Sequence, residues 1–503
     1  MANDSRLSPT PLTRYRLYIG GTEADPASGA WFESYNPYTG RPWALIPRGN
    51  KTDVDRAVAA AAHAFKEGAW PKLTPSGRGA LLHRFADLLS EHAQRLAEIE
   101  VRDNGKLIAE MAAQLRYIPQ CYRYFGGLAD KIEGAVIPID KPGMFNYTRH
   151  EPLGVVAAIT PWNSPLMLAS WKLAPALAAG NTVVLKPSEY TSASALEFVK
   201  LFAQAGFPPG VVNVVTGYGP EVGEPLVAHP DVAKVAFTGG EAGGVRVYEA
   251  AARGLKRVTL ELGGKSPNIV FEDANLDDAV KGAISGIFAA TGQTCIAGSR
   301  LLVQASIHDA LLERLVAFAR TARMGDPLSF DTQVGPVTTQ PQYQKVLDYI
   351  EIARSEGARC VLGGGPAQRP ECGAGWFVEP TIFAGVRNDM RIAREEVFGP
   401  VLSVIKFDDE EDAIRIANDT PYGLAAGVWT RSIKRAITVA ERLQAGTVWV
   451  NTYRAVSFMS PFGGYKRSGL GRELGQEAIR EYLQTKSVWI STADEVPNPF
   501  VLR

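Results

Sequence analysis

Between residues 153 and 262 the chain alternates short apolar, β-branched runs with longer stretches of helical periodicity. The runs are LGVVAAIT (153–160), NTVVLK (181–186), VVNVVT (211–216), AKVAFT (233–238) and RVTLEL (257–262). The segments between them, near 165–179, 192–206, 219–227 and 243–253, are long enough to be helical crossovers. Strands that are apolar on both faces and joined by helices predict a doubly wound parallel α/β sheet. Sheets of that kind bind ligands beyond the carboxyl ends of their strands, where loops lead into helix N-termini.

The flanking segments read differently. Residues 50–130 are alanine-rich and helical in period, as in VDRAVAAAAHAF and RGALLHRFADLLSEHAQRLAEI. Over 131–152, IEGAVIPI, DKPG and MFNYTRHE predict two strands joined by a Pro-Gly turn, and KSVWIS (486–491) predicts another strand. None of these has an obvious partner in a doubly wound core. Unpaired strand edges are a liability, so arms that pair between subunits are expected, in a homodimer or homotetramer. From about 264 to 465 strand and helix signals alternate again and predict a second α/β domain. The acidic run 408–412 precedes an apolar-periodic stretch and reads as the solvated first turn of a helix.

Composition narrows the function classes. A length of 503 residues is a prior of roughly two to four domains. The 53 Lys+Arg balance the 53 Asp+Glu, so no cationic surplus points to a nucleic acid or another polyanion. With 46% apolar and 21% charged residues the chain is ordinary globular material, and its size needs no disulfide or metal to hold a core. MANDSRLSPTPLTR contains no apolar stretch, so a secretory leader is not expected. The richest apolar window, Leu166 to Leu185, is broken by Lys172, Pro175 and Asn181, so no membrane span is expected. The four cysteines, Cys121, Cys295, Cys360 and Cys372, form no CxxC pair. That usage suits a reducing, cytoplasmic setting. The six histidines are scattered without an i, i+4 pair, and no metal site is expected.

Candidate chemistry gathers at the predicted strand ends. Cys295, in FAATGQTCIAGSR, follows a helix broken by Gly292, Gln293 and Thr294. It is either a small buried hydrophobe or a thiol activated by backbone N–H groups where a new segment opens. Glu261 ends a strand just before Gly263 and Gly264; it is either merely solvated or a general base in a partly dry site. Asn163, after the first run in TPWNSP, is a turn residue or an amide donor to a developing oxyanion. Gly239, Gly240, Gly243 and Gly244 form a strand-to-helix turn open to a pyrophosphate, although the G-x-G-x-x-G spacing is absent. Lys186 and Glu189, in VVLKPSE, either hold ribose hydroxyls or lie on an exposed turn.

Taken in order, TPWNSP, KPSE, FTGG, ELGGKSPNIV, GQTCIAGSR, EEVFGPV and PFGGYKRSGLGRE resemble the signature segments of the NAD(P)-dependent aldehyde dehydrogenase superfamily, of the hydrolytic, non-acylating type. The resemblance runs from about residue 18 to 490. It implies a Rossmann-like NAD-binding domain (1–129 and 151–262), a catalytic domain (263–465) and an oligomerisation arm (130–150 and 480–495). By the same likeness Cys295 is the nucleophile that forms a thiohemiacetal and then a thioester. Asn163 and the Cys295 backbone N–H hold the oxyanion, and Glu261 activates the hydrolytic water. Trp162, Lys186, Glu189, Gly239, Gly240, Gly244, Glu396 and Phe398 are implied at the cofactor. Ser164, Trp171, Ala289, Arg454 and Phe462 are implied around the substrate.

Glu189 favours NAD over NADP, because a carboxylate accepts from the ribose 2′-hydroxyl but repels a 2′-phosphate; Lys186 beside it keeps NADP from being excluded. Two departures from the family pattern matter. Gly240 stands where a serine is frequent, which removes a hydroxyl donor to the pyrophosphate. Ser164 and Ala289-Ala290 stand where bulky aromatics are common, which predicts a roomier pocket for a bulky or ring-bearing aldehyde. Arg454 is either an exposed loop residue or the anchor of a substrate carboxylate. The rival readings are a CoA-acylating dehydrogenase, against which Glu261 argues, and a catalytically silent protein on the same scaffold.

Overall fold

The computed structural model describes residues 12–495 and 498–500. Most of the N-terminal segment on which the leader reading rests lies outside them. Among the described residues the five apolar runs are all strands, Val155–Ile159, Thr182–Lys186, Val212–Val214, Val232–Thr238 and Arg257–Glu261. They pair in parallel in the spatial order fifth, fourth, first, second, third. This is a doubly wound sheet whose winding reverses between Val155–Ile159 and Val232–Thr238. Antiparallel strands cap its edges, Gly469–Leu470 on one side and the hairpin Leu17–Ile19/Thr22–Ala24 on the other.

The two faces of the sheet bury different helices, because successive strand residues point to opposite sides. Val156, Ala158, Val183 and Leu185 join one core with the helices Pro75–Asn104, Ile108–Leu128 and Pro165–Ala179. Val155, Ala157, Ile159 and Val184 join another with Lys51–Lys66 and the helices after Val212–Val214 and Val232–Thr238. The register aligns the carboxyl ends: Glu261 lies opposite Thr238, Phe237 opposite Ile159, and Ile159 opposite Lys186. Candidate residues about a hundred positions apart in sequence therefore stand in one row.

A second sheet runs Arg359–Leu362, Thr381–Ala384, Val401–Phe407, Arg300–Gln304, Pro267–Val270, Ala425–Trp429, Thr447–Val450, parallel except at its first strand. The acidic run is the start of helix Glu410–Asn418, capped by the Asp409 side chain on the Asp412 N–H. The arm differs from its sequence reading. Met144–Pro152 and Leu483–Ser491 pair with each other, antiparallel, over nine positions. IEGAVIPI is not a full strand; it adds only a single bridge, Val136 to Tyr147. The ribbon leaves Phe145, Trp489 and Ile490 exposed. A three-stranded sheet over 13–47, which the hydrophobic pattern did not announce, completes the strand inventory. Among the described residues no helix is long and apolar enough to cross a membrane.

Candidate active site

Beyond the reversal point of the first sheet lies a cavity of about 600 Å³. Ile159, Trp162, Lys186, Glu189, Thr238, Gly239 and Gly240 line it. The glycines divide by role. A Cβ at Gly239 would meet the Phe237 ring at 2.6 Å, so the chain can turn there only without a side chain. Gly240 faces open space, so nothing would obstruct the serine common at this position. Gly244 does not line the cavity; its Cα packs on Leu262, which a Cβ would approach to 2.4 Å, and Gly243 faces the cavity instead. The Lys186 ammonium donates to the Pro187 carbonyl at 3.0 Å and lies 3.6 Å from Glu189. These two side chains leave a buried cation and a half-exposed carboxylate on one wall, a pair suited to ribose hydroxyls.

Glu396 reaches the site from the second sheet, accepting the Gly264 N–H at 2.9 Å. Burial pushes its carboxyl above the usual range, against the pull of that bond and of Lys345 and Lys265. Phe398 adopts φ +59° and sets its ring edge-on to Trp162, centroids 5.2 Å apart. The Glu396 loop and the cofactor cavity are thus joined through one aromatic pair.

Cys295 is partly exposed and follows a strained loop. Helix Leu276–Ile287 ends, and Ala290, Thr291 and Gly292 take φ of +53°, +54° and +70°. Gly292 lies so close to the Gly399 carbonyl that a Cβ would sit 2.0 Å from its oxygen. The segment that opens at Cys295 is a turn and not a helix. The thiol is correspondingly not activated at rest. Burial, then the negative charges of Glu261 and Glu396, push it up to about 12, and the nearby backbone N–H groups offset only part of this.

Asn163 is buried and donates its side-chain amide to the Gln293 carbonyl at 3.0 Å. That bond ties the turn after Val155–Ile159 to the loop carrying Cys295. Glu261 ends its strand with both carboxylate oxygens buried and, among the described residues, without hydrogen-bond partners. Burial and the charge of Glu473 raise its proton affinity well above that of an ordinary carboxyl, while Lys172 and Arg472 counter in part. Native buried carboxylates are almost always paired, so a bare one within electrostatic reach of a thiol is a candidate for proton transfer.

Three groups, Lys172, Lys106 and Glu110, escaped the sequence reading. Lys172, noted only as a break in an apolar window, is fully buried and donates to Thr238 at 2.6 Å and to Glu473. A lone lysine inside an otherwise buried helix was the available signal. Lys106 and Glu110 flank the small residues that resembled departures: Lys106 donates to Ser164 at 2.9 Å, and Glu110 accepts from the Ala290 N–H at 2.8 Å. Nothing local in DNGKLIAE marks them, because only the fold carries them to positions 164 and 290. Of the predicted pocket residues, Trp171 is buried edge-on to Phe462 at 5.2 Å, and Ala289 lies beside Ala290. Arg454 takes φ +66° and donates to the Ser285 carbonyl at 3.3 Å.

Comparisons with known proteins agree with this geometry. Residues 24–488 match the model of the aldehyde dehydrogenase family. A (Z)-2-((N-methylformamido)methylene)-5-hydroxybutyrolactone dehydrogenase of Acinetobacter baylyi is 48% identical over 495 residues, 98% of this chain and 100% of its own. Human aldehyde dehydrogenase 1A1 is 47% identical, covering 95% of each chain. The NAD+ complex of an aldehyde dehydrogenase from Bacillus cereus superimposes with a TM-score of 0.93 at 45% identity, over 95% of this chain and 96% of that one. The chain therefore belongs to the aldehyde dehydrogenase family, as an NAD-dependent enzyme.

Proposed function

We propose that the protein oxidises an aldehyde to its carboxylic acid through an acylated Cys295, and that Glu261 serves both half-reactions as proton acceptor. The single observation that carries this reading is the Glu261 carboxylate, buried, unpartnered and within electrostatic reach of the Cys295 thiol. With the thiol at about 12, attack needs a base, and a carboxyl raised by burial is a stronger one than an exposed carboxylate.

The sulfur adds to the carbonyl carbon and its proton passes to Glu261. The oxygen, now negative, takes the second N–H of the Asn163 amide, the first being held by Gln293. NAD, when bound in the 600 Å³ cavity, accepts the hydride. Cys295 is left as a thioester; Glu261 gives the thiol's proton up to solvent, takes a new proton from water, and the resulting hydroxide releases the acid while the expelled thiolate takes that proton back from Glu261. Lys186 and Glu189 hold the adenosine ribose, and Glu396 with Phe398 and Trp162 bounds the nicotinamide end. The cofactor domain, catalytic domain and arm keep the boundaries given above, and the exposed apolar ribbon of the arm supports pairing with a second copy.

The substrate is a polar aldehyde of some bulk. Ser164 is small and polar and Ala289 is short where bulky aromatics are common in the family, and a relative at 48% identity is named for a substituted 5-hydroxybutyrolactone, a ring that is the closed form of an aldehyde acid. Glu261→Gln tests the mechanism: one equivalent of NADH per site should form, more slowly than in the parent because attack has lost its base, followed by almost no further turnover. Undiminished steady turnover, or equal turnover only when coenzyme A is supplied, would refute it.

A further inference from the structure

The small residues at 164 and 289–290 do not leave an empty apolar tunnel. A fixed, buried ammonium fills the space on the Ser164 side. Lys106 sits in the short link between helices Pro75–Asn104 and Ile108–Leu128, held by its own N–H on Asn104 Oδ1 at 2.9 Å. Its side chain is 3% exposed. An ammonium carries three donors, and the one side-chain acceptor that Lys106 meets is Ser164 Oγ, 2.9 Å away. Among the described residues no carboxylate comes within ion-pair distance of it. Burying such a charge is costly unless it finds a counter-charge, and the described residues place none in direct contact with it.

The surrounding charges point the same way. Burial, followed by the opposing effects of Glu110, Arg454, Glu100 and the Cys295 sulfur, holds the Lys106 ammonium down to about 8, so all four groups share its neighbourhood. Glu110 gives one oxygen to the Ala290 N–H and, among the described residues, keeps the other buried without a partner, beyond ion-pair distance of Lys106. Glu100 is turned to the Leu166 N–H at 2.8 Å and pushed by burial to about 7, near neutrality. Arg454 spends one N–H on the Ser285 carbonyl, which leaves the rest of its guanidinium free. Two cations with unused donors thus share one neighbourhood with the Cys295 sulfur, and one of them is bonded to the residue that follows Asn163.

The geometry points to Lys106, with Ser164 and Arg454, as the subsite that takes a carboxylate carried by the substrate a few bonds from its aldehyde. This rests on the aldehyde-oxidising reading and adds to it a residue that selects the substrate class. A bulky side chain at position 164 would occupy the space into which Lys106 reaches, so the serine and the lysine belong to one device.

The test compares two probes that differ only in that charge, 4-oxobutanoate and its methyl ester, assayed with NAD on the full-length enzyme. The parent should prefer the free acid. In Lys106→Met the ratio of kcat/KM for acid over ester should fall at least tenfold, mainly through KM for the acid, as loss of a charge-assisted contact predicts. Lys106→Arg should restore most of the ratio. Because the ratio cancels any loss common to both probes, a merely structural lysine would leave it unmoved. Ser164→Phe reads the same ratio should Lys106→Met fold poorly, and should lower it likewise. A parent that favours the ester, or variants that keep the parent's ratio, would overturn the proposal while leaving aldehyde oxidation standing. Failure of the parent to form acid from either probe with NADH, when other aldehydes also fail, would instead overturn the reading beneath it.

Discussion

The Asn163 amide and the Gln293 carbonyl, 3.0 Å apart, join the end of the first parallel strand to the loop that presents Cys295. One N–H of that amide is thereby fixed, and the direction of the other follows from it. Asn163→Asp keeps the shape but sets an acceptor against the Gln293 oxygen. Steady-state kcat should fall by about 10² to 10³, the range for removing one oxyanion donor, with the NAD affinity altered much less. A fall smaller than tenfold would show that the amide serves only to hold the loop.

Glu261 and Glu396 both raise the Cys295 thiol through their charges. Removing the nearer influence has a definite sign. Glu261→Gln takes away a negative charge, stabilises the thiolate, and should move the pH profile of Cys295 alkylation by iodoacetamide to lower pH. Glu396→Gln should move it in the same direction but less, since its contribution is the smaller. An unchanged profile in Glu261→Gln would mean the two groups do not face each other.

Much of this site could be read before any coordinates. The apolar runs gave strands whose ends carry Asn163, Lys186, Gly239 and Glu261, because a parallel sheet buried on both faces writes its pattern plainly. What failed to show was long-range. The arm strands found each other across some 340 positions (Asn146 bonds Ser487), and no periodicity encodes a partner that distant. Lys106 carried no signal of its own, because its burial depends on helices brought over it. At Cys295 the break of the helix was legible in Gly292, Gln293 and Thr294, but the positive φ at three successive residues that makes a turn there was not.

Glu189 lies partly exposed on the cofactor cavity with Lys186 behind it at 3.6 Å. Its charge is the term that disfavours a 2′-phosphate. Glu189→Gln should raise the ratio of kcat/KM for NADP over NAD by about tenfold or more, corresponding to about 1.4 kcal/mol, with Lys186 then free to meet the phosphate. A parent enzyme that already works better with NADP would contradict the assignment.

Lys172 and Glu473 are buried together behind the site, 0% and 3% exposed. Removing one partner strands the other charge in the core. Lys172→Met should destabilise the fold by about 3–5 kcal/mol, and the Lys172→Met/Glu473→Gln pair should recover a substantial part of it. Urea denaturation followed by fluorescence measures both. Additive losses in the double variant would show that the two side chains are not energetically coupled.

The central claim is that substrate carbon becomes bonded to one sulfur among four. The direct measurement is mass spectrometry of Glu261→Gln, acid-quenched during turnover of an aldehyde with NAD and digested under acidic conditions. The account predicts an acyl adduct, heavier by the aldehyde less two hydrogens, on the peptide containing Cys295 and on no other. An enzyme that has formed NADH yet carries no adduct, or carries it on Cys121, Cys360 or Cys372, would contradict the account.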